Sequence, residues 1–275
     1  MIRITTLIEN SIGEHLALRN EHGLSICIEM PGNKILFDAG QSGDFIYNAH
    51  QLQIDLTDLE CVVLSHGHYD HTGGLRDLLN VTTGFELVTG RGFFREKYAE
   101  RNGAHEYLGN NFTAEFLKKR NILYSELREL VRELVPGVFV VGFFPRVNID
   151  EKINKRFKLL THDGFTDDDF KDEVMIVVDT PLGLVAIMGC AHPGMRNMLD
   201  EVKSRFKKPV YAVLGGTHLV EASQEASDAS IEYLIKNNIK IIGVSHCTGE
   251  KAGKLLENSS SGYFYNRTGS SLTIF

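Results

Sequence analysis

The sequence contains few cysteines and no long apolar segment, and both features restrict the class of protein. Its four cysteines form no CxxC pair and mostly lie in or beside apolar runs, which is typical of buried thiols in a reducing compartment. No segment approaches the roughly twenty apolar residues that a membrane-spanning helix needs. The first residues also lack the apolar run and small-residue cleavage site of a secretory signal. We therefore expect a cytoplasmic protein that begins at Met1 and makes no membrane contact.

Basic side chains are in deficit, because 29 Lys and Arg stand against 36 Asp and Glu, a formal net charge of −7. Nucleic acids and anionic membranes attract cationic proteins, so this balance favours a small-molecule substrate over a nucleic acid. No GxxxxGK loop is present and no GxGxxG follows a strand, so no nucleotide cofactor is predicted. With 275 residues, 43% of them apolar, the chain is long enough for one large α/β domain.

Apolar runs and helical spacing alternate along the chain, which predicts a mixed α/β fold. Between residues 92 and 134 apolar side chains recur at three and four positions, which predicts a helical insertion. The acidic run 163–173, DGFTDDDFKDE, is predicted to be a solvated loop. The strands are predicted at Ile2 to Ile8, Leu24 to Ile28, Lys34 to Phe37, Cys61 to Leu64, Val138 to Val141, Val174 to Val178, Leu184 to Met188, Pro209 to Leu214 and Ile239 to Val244.

The segment LSHGHYDHTGGL, residues 64–75, holds the densest group of potential metal ligands. His66, His68, Asp70 and His71 fall within six positions directly after an apolar strand. Imidazole and carboxylate groups suit zinc, and they also bind iron or manganese. A solvated polar loop would accommodate any one of these histidines, but it does not explain all four groups together. The segment therefore predicts a metal site, with zinc as the first choice and one or two ions per chain.

Several apolar runs end in a potential ligand. Because neighbouring strands of an open α/β sheet end at one edge, we expect these side chains to gather in one pocket. Any single late histidine could equally be a hydrogen-bonded structural residue. The residues that follow the apolar runs are Asp38, His66, His192, His218 and His246.

The motif His66, His68, Asp70 and His71 resembles the HxHxDH signature of the metallo-β-lactamase superfamily. The resemblance implies a four-layer αββα sandwich, two mixed sheets flanked by helices, formed by residues 1–275 as a single domain. The runs FDAGQSG, GCAHPG, GGTHL and HCTG look like the branch of dihydropterin ribofuranosylaminobenzene phosphate synthase-like proteins.

The resemblance also implies a ligand set. Asp38 would be a carboxylate that orients a ligand imidazole. One ion would bind to His66, His68 and His192, and a second to Asp70, His71 and His246.

The sequence departs from many superfamily hydrolases at one position. Their bridging aspartate lies at a strand end between the last two histidine motifs, but here Asp200 and Asp228 are predicted on helix surfaces and His218 takes the strand end. A neutral imidazole in place of this aspartate leaves one negative charge fewer between the two metal ions. We therefore expect a more weakly bound second ion, with His218 as a metal ligand or a group that faces the substrate.

The predicted function is metal-assisted hydrolysis of a small anionic metabolite, phosphorylated or an ester. A bound ion would lower the pKa of water, Asp70 would act as the base, and His218 would polarise the substrate or protonate the leaving group. A cluster of basic residues is a candidate phosphate-binding face or, more simply, a solvated helix surface. This cluster consists of Arg91, Arg95, Lys97 and Arg101.

Two alternatives to hydrolysis belong to other classes. One is a synthase or transferase that joins a pterin-like and a phosphorylated substrate, and an aromatic pocket would favour it. The other is a non-catalytic sensor that binds metal and ligand. A two-iron redox enzyme is less favoured, because the chain has no length left for a flavin domain. The candidate pocket aromatics are Phe93, Phe94, Tyr107 and Phe143.

Overall fold

The computed structural model describes residues 1–13 and 17–275, which form two compact units. Unit 1 comprises Met1–Arg128, Lys155–Asp168 and Arg267–Phe275, and unit 2 comprises Glu129–Asn154 and Asp169–Asn266. In these described ranges, no helix combines the length and apolarity required to cross a bilayer. The mixed α/β class predicted from the sequence is confirmed, whereas the single-domain organisation stays a prediction.

Strands and helices alternate as follows. The strands are β1 (Ile2–Ile8), β2 (Ser25–Met30), β3 (Asn33–Phe37), β4 (Cys61–Leu64), β5 (Glu86–Thr89), β6 (Lys97–Arg101), β7 (Ala104–Tyr107), β8 (Leu123–Glu126), β9 (Val131–Val135), β10 (Val138–Val141), β11 (Phe157–Thr161), β12 (Gly164–Asp167), β13 (Met175–Thr180), β14 (Gly183–Met188), β15 (Val210–Gly216), β16 (Ile241–Ser245) and β17 (Ser271–Ile274). The α-helices are α1 (Asp44–Gln51), α2 (Tyr69–Thr72), α3 (Leu75–Leu78), α4 (Ala114–Lys119), α5 (Met195–Phe206), α6 (Gln224–Lys236) and α7 (Glu250–Ser259).

The large sheet of unit 1 has the order β17-β1-β2-β3-β4-β5-β8. It is antiparallel from β17 to β3 and parallel from β3 to β8. Every residue of β4 is buried, as expected for a parallel strand covered on both faces. Helix α1 contributes Phe45 and Ala49 to the apolar core on this sheet. Because β3 and β4 are parallel, the residues that follow them, Asp38 and His66, emerge at the same edge.

A second sheet of unit 1 has the order β12-β11-β6-β7, and it corrects the prediction of a helical insertion at 92–134. That segment contains β6, β7, β8 and the start of β9, with α4 as its only helix. The apolar spacing over Leu123 to Leu134 comes from β8, β9 and the loop between them, since Leu123 lies on β8 and Leu130 in that loop. The side chains of Leu123 and Leu130 are both more than half exposed.

The basic cluster predicted from the sequence also needs correction, because Lys97 lies inside unit 1 rather than on a helix surface. It is the first residue of β6, is 1% exposed, and its Nζ lies 2.6 Å from Oδ2 of Asp168. The acidic run 163–173 is likewise not a solvated loop throughout. Its members Asp168, Phe170, Asp172 and Glu173 are all buried.

The sheet of unit 2 has the order β16-β15-β14-β13-β10-β9. Strands β14, β15 and β16 are parallel, with α5 and α6 as the connections between them. The apolar faces of these helices pack on the sheet through residues such as Met198, Leu199 and Leu234. The parallel arrangement brings the carboxyl ends of β14, β15 and β16 to one edge, where the motifs GCAHPG, GGTHL and HCTG follow.

Candidate active site

The histidine-rich loop of unit 1 runs from the end of β4 into α2. His68 precedes α2, so Asp70 and His71 lie on the first turn of that helix. The glycines that follow allow a close backbone approach, since a Cβ at Gly73 would lie 2.2 Å from the carbonyl oxygen of Gln41. A side chain at this position would therefore push the loop away from the residues after β3.

Asp38 connects the end of β3 to the histidine loop. It is fully buried and has a left-handed backbone with φ of 60°. Its Oδ1 accepts the backbone N–H of Ser65 at 2.6 Å, and its Oδ2 lies 2.8 Å from Ser65 Oγ and 2.7 Å from His71 Nδ1. The carboxylate therefore fixes the His71 ring with Nε2 directed away from it; that His71 is a metal ligand stays a prediction.

The remaining imidazoles of the loop lie close to one another. Nε2 of His66 is 3.1 Å from Nδ1 of His68, and Nδ1 of His66 is 2.9 Å from Ser65 Oγ. Oδ2 of Asp70 lies 3.5 Å from His71 Nε2 and 3.3 Å from Nε2 of His22. The structure thus brings together the unit 1 members of the predicted ligand set, and it adds His22, which the sequence analysis missed.

These residues fit a divalent metal ion on the chemistry of their donors. Three buried imidazoles and one buried carboxylate converge, and the outward ring nitrogens of His66 and His71 contact Ser65 and Asp38. Protein metal sites commonly have this pattern, in which an outer oxygen fixes the tautomer of each ligand histidine. Nitrogen and oxygen donors of this kind suit zinc, iron or manganese.

In unit 2, His192 follows β14 in a loop that Glu173 fixes. Oε1 and Oε2 of Glu173 accept the backbone N–H groups of Ala191 and His192 at 2.5 and 2.8 Å. Burial raises the pKa of Glu173 to about 8, although these two donors act in the opposite direction. The ring of Phe170 stacks on His192 with centroids 3.8 Å apart. Both Glu173 and Phe170 come from the acidic run that the sequence analysis assigned to solvent.

His218 follows β15, and its ring centroid is 4.2 Å from that of His192. Its Nε2 lies 3.2 Å from Oε2 of Glu221, and its backbone N–H donates to Sγ of Cys247 at 3.2 Å. Burial lowers the pKa of His218, but hydrogen bonds to Cys247 and Glu221 outweigh this effect and raise it to about 10. Burial likewise opposes ionisation of the Cys247 thiol, yet hydrogen bonds from Cys190 and His218 hold its pKa well below its usual value.

His246, the last predicted ligand, immediately follows β16 and is buried, with φ of 55°. Asp200 and Asp228 lie on α5 and α6, as predicted, so neither occupies a strand end. The structure therefore places His192, His218 and His246 after three adjacent parallel strands of unit 2.

A cavity of about 370 Å³ opens beside His192 and His218 in unit 2. Its lining includes Lys152 and the imidazoles of His192 and His218. Its floor includes Ser230, which is fully buried. The carboxylates that line it are Asp150, Glu151, Glu221 and Glu225.

Of the predicted pocket aromatics, Phe94 and Tyr107 line a separate cleft of unit 1. This cleft has a volume of about 500 Å³, and Phe112 is a third aromatic in its wall. Phe93 belongs to the apolar core instead. Phe143 lies in unit 2 and has a left-handed backbone with φ of 59°.

The fold and these ligand clusters define a class of metal-dependent enzymes, and comparison with known proteins identifies it. Residues 19–83, which include Asp38 and the histidine loop, match the metallo-beta-lactamase superfamily. The chain is 30% identical over 262 residues to 7,8-dihydropterin-6-methyl-4-(beta-D-ribofuranosyl)-aminobenzene-5'-phosphate synthase of Methanocaldococcus jannaschii, covering 91% of this chain and 89% of that protein.

Two solved structures are also similar. Tm1679, described as a metal-dependent hydrolase of the beta-lactamase superfamily, has a TM-score of 0.87 and 28% identity, with 100% of this chain and 99% of that chain covered. Zinc-bound PqqB from Methylobacterium extorquens shares the fold, with a TM-score of 0.61, 15% identity, and 99% and 100% of the two chains covered.

The chain belongs to the metallo-β-lactamase superfamily, in the branch of dihydropterin ribofuranosylaminobenzene phosphate synthase-like proteins. Membership implies binding of divalent metal ions, and the fold predicted from the HxHxDH motif is confirmed.

Proposed function

We propose that the protein is a metal-dependent synthase that joins a pterin-like heterocycle to a phosphorylated aminobenzene compound. The acidic cavity of unit 2 carries this proposal. Arg196 pairs with Asp150 and Glu151, and His218 pairs with Glu221, so Glu225 is the lining carboxylate that we propose accepts the N–H donors of a neutral ring. A pterin presents a 2-amino group and ring N–H groups, which a carboxylate can accept in pairs. The relative in Methanocaldococcus jannaschii, which spans most of the chain, is a synthase named for such a product.

The aromatic cleft of unit 1 suits the second substrate. Phe94, Tyr107 and Phe112 provide flat apolar walls, and Asn110 and Asn111 add amide groups. Aromatic rings stack or meet edge to face on such walls. We assign the aminobenzene ring to this cleft.

The proposed ligands are those that the family resemblance implies. They are His66, His68, Asp70, His71, His192 and His246, with Asp38 to orient His71. When bound, a divalent ion would supply Lewis acidity, and zinc is our first choice.

In the proposed reaction, the aromatic amine nitrogen forms a bond to the methylene carbon on the pterin. A leaving group departs from that carbon with its bonding electron pair, and the amine loses a proton. When the second ion is not bound, Asp70 is the proposed acceptor of this proton, because its carboxylate is buried beside His71 and His22 and is preorganised by them; as a ligand of that ion it would mainly position the nucleophile. His218 lies on the cavity wall, where it can contact the pterin or hold a metal ion.

Hydrolysis of a small phosphorylated or ester metabolite is the second candidate, with Asp70 as the base toward water. The 28% identity to Tm1679, described as a metal-dependent hydrolase, favours it. The two candidate functions differ in their expected dependence on Glu225, because a carboxylate can accept the N–H groups of a pterin but does not stabilise a phosphate group.

The experiment incubates metal-loaded protein with a 6-(activated methyl)-7,8-dihydropterin and 4-(β-D-ribofuranosyl)aminobenzene 5'-phosphate, and detects the coupled product by mass spectrometry. We expect coupling that a chelator abolishes and that Glu225→Gln slows through a higher KM for the pterin. Glu232→Gln is the matched control, because Glu232 lies on the same helix α6 in an exposed pair with Lys236. Chelator-sensitive cleavage of a phosphodiester without any coupling would reject the synthase in favour of the hydrolase.

A further inference from the structure

Two thiols and one imidazole meet at the edge of the unit 2 sheet. Cys190 follows β14, His218 follows β15 and Cys247 follows β16. Their potential ligand atoms, two sulfurs and one ring nitrogen, all lie within 4.8 Å of one another. Cys190 and Cys247 are buried, and His218 is partly exposed on the cavity wall. The three groups come from three adjacent parallel strands, so the sheet itself determines their separation.

The backbone leaves room for the sulfur of Cys247. A Cβ at Gly216, the last residue of β15, would lie 2.6 Å from Sγ of Cys247 and 2.3 Å from the carbonyl oxygen of Gly189. Glycine is therefore required there for the thiol to reach this position. The backbone N–H of His218 donates to the same sulfur, and N–H donors of this kind stabilise a metal-bound thiolate.

Glu221 orients the imidazole of this cluster. Its Oε2 lies 3.2 Å from Nε2 of His218, so the carboxylate fixes the orientation of the ring. A carboxylate on one ring nitrogen and a metal on the other is the usual pattern of ligand histidines. Both members of this pair line the cavity, so the cluster lies at the cavity wall.

We propose that Cys190, His218 and Cys247 form a separate metal site for a soft or borderline cation such as Cd²⁺, Zn²⁺ or Cu⁺. Thiolates select such ions, in contrast to the nitrogen and oxygen donors of the histidine loop. With metal–sulfur bonds of about 2.3 Å, a tetrahedral ion separates its sulfurs by about 3.8 Å, which the cluster accommodates. Three protein ligands leave one coordination position for an exogenous group. The site does not depend on the synthase function proposed above.

The experiment titrates chelator-treated, full-length protein with Cd²⁺ and then with Co²⁺, and follows sulfur-to-metal charge transfer in the ultraviolet. We expect a charge-transfer band that saturates at one ion for this site. Cys247→Ser and Cys190→Ser should each remove or strongly reduce it. Cys27→Ser is the matched control and should keep it, because Cys27 is a buried thiol on β2 of unit 1, where burial raises its pKa.

Two further variants separate this site from the histidine loop and from a folding defect. His66→Ala should leave the band intact, because the band reports sulfur ligands only. Glu221→Gln keeps all three ligands, so it should retain the band but weaken Cd²⁺ affinity by about 10- to 100-fold. Absence of a charge-transfer band in the wild-type protein would overturn the proposal, even if the serine variants fail to fold. A band that survives both serine substitutions would overturn it as well.

Discussion

The carboxylate of Asp38 offers a sharp test of how the histidine loop is preorganised. In Asp38→Asn, one oxygen is replaced by an NH2 group of similar size. If Oδ1 keeps the Ser65 N–H, the new NH2 faces His71 Nδ1, which can then only accept a hydrogen bond. The proton of the neutral imidazole must move to Nε2, the nitrogen that lies toward Asp70. The substitution therefore switches the tautomer of His71 and removes the lone pair that a metal would use.

Two magnitudes follow from these contacts. The new NH2 group cannot accept the O–H of Ser65 as Oδ2 does, and loss of a hydrogen bond to a charged group costs about 1.5–3 kcal/mol, so the metal-free variant should unfold more easily by this amount. Partners that orient a metal ligand typically contribute about 10- to 100-fold in metal affinity, so Zn²⁺ binding should weaken by that factor. The free energy of unfolding is measured by urea denaturation in the presence of a chelator, and the affinity by competition with a chromogenic chelator.

Asp58→Asn is the control for this substitution. Asp58 pairs with Lys34 on the surface of unit 1 and is mostly exposed, so neither stability nor metal affinity should change appreciably. An affinity of Asp38→Asn within about twofold of wild type, in a folded protein, would refute the orienting role of Asp38, since such a role is worth at least about tenfold.

Three other perturbations have expected outcomes. Glu173→Gln turns an NH2 group toward the backbone N–H of Ala191 or His192, and should lower the free energy of unfolding by about 1–3 kcal/mol in urea titrations; an unchanged midpoint would contradict it. Lys97→Met leaves Asp168 buried without its ion-pair partner and should cost about 3–5 kcal/mol, whereas combining it with Asp168→Leu should recover most of the loss; equal losses in both variants would refute the coupling. Chelation should lower the thermal unfolding midpoint, because a ligand at 100 times its Kd adds about 2.7 kcal/mol to the free energy of unfolding. A midpoint that does not depend on metal would count against a native metal site.

The sequence predicted the parts of the site that depend on local patterns. The HxHxDH loop and the strand ends at His192, His218 and His246 are readable because ligand types follow short apolar runs, and parallel strands end at one edge. The sequence around Glu173 carries no such signal, because its role depends on the loop after β14, which the fold brings beside it. Its acidic neighbours made the whole run look solvated.

The errors have a related origin. Residues 92–134 contain short strands whose apolar positions imitate helical spacing, and pairing with other strands decides their conformation: β6 pairs with β11, β8 with β5 and β9 with β10. Lys97 begins one of these strands, and only the return of the chain through Asp168 accounts for its burial. Pairings between segments some sixty or seventy residues apart leave no periodic trace in a single sequence.

In each unit, residues with left-handed backbone follow the ends of strands. Asp38, Ala191, His218 and His246 all have φ between 51° and 60°, although none is glycine. Such a conformation costs roughly 1–2 kcal/mol per residue, and it persists only where surrounding contacts hold it. Ser65 and His71 hold Asp38, Glu173 holds Ala191, and the sulfur of Cys247 holds His218.

The interactions that hold these turns are therefore the same ones that orient the candidate ligands. A substitution at Asp38 or Glu173 must change both backbone strain and ligand geometry, so a loss of activity alone cannot separate the two effects. Unfolding measured in metal-free protein isolates the strain, and metal affinity measured in the folded variant isolates the geometry. Because each unit has this strain at the carboxyl ends of its own parallel strands, the candidate ligands of each unit can be tested separately.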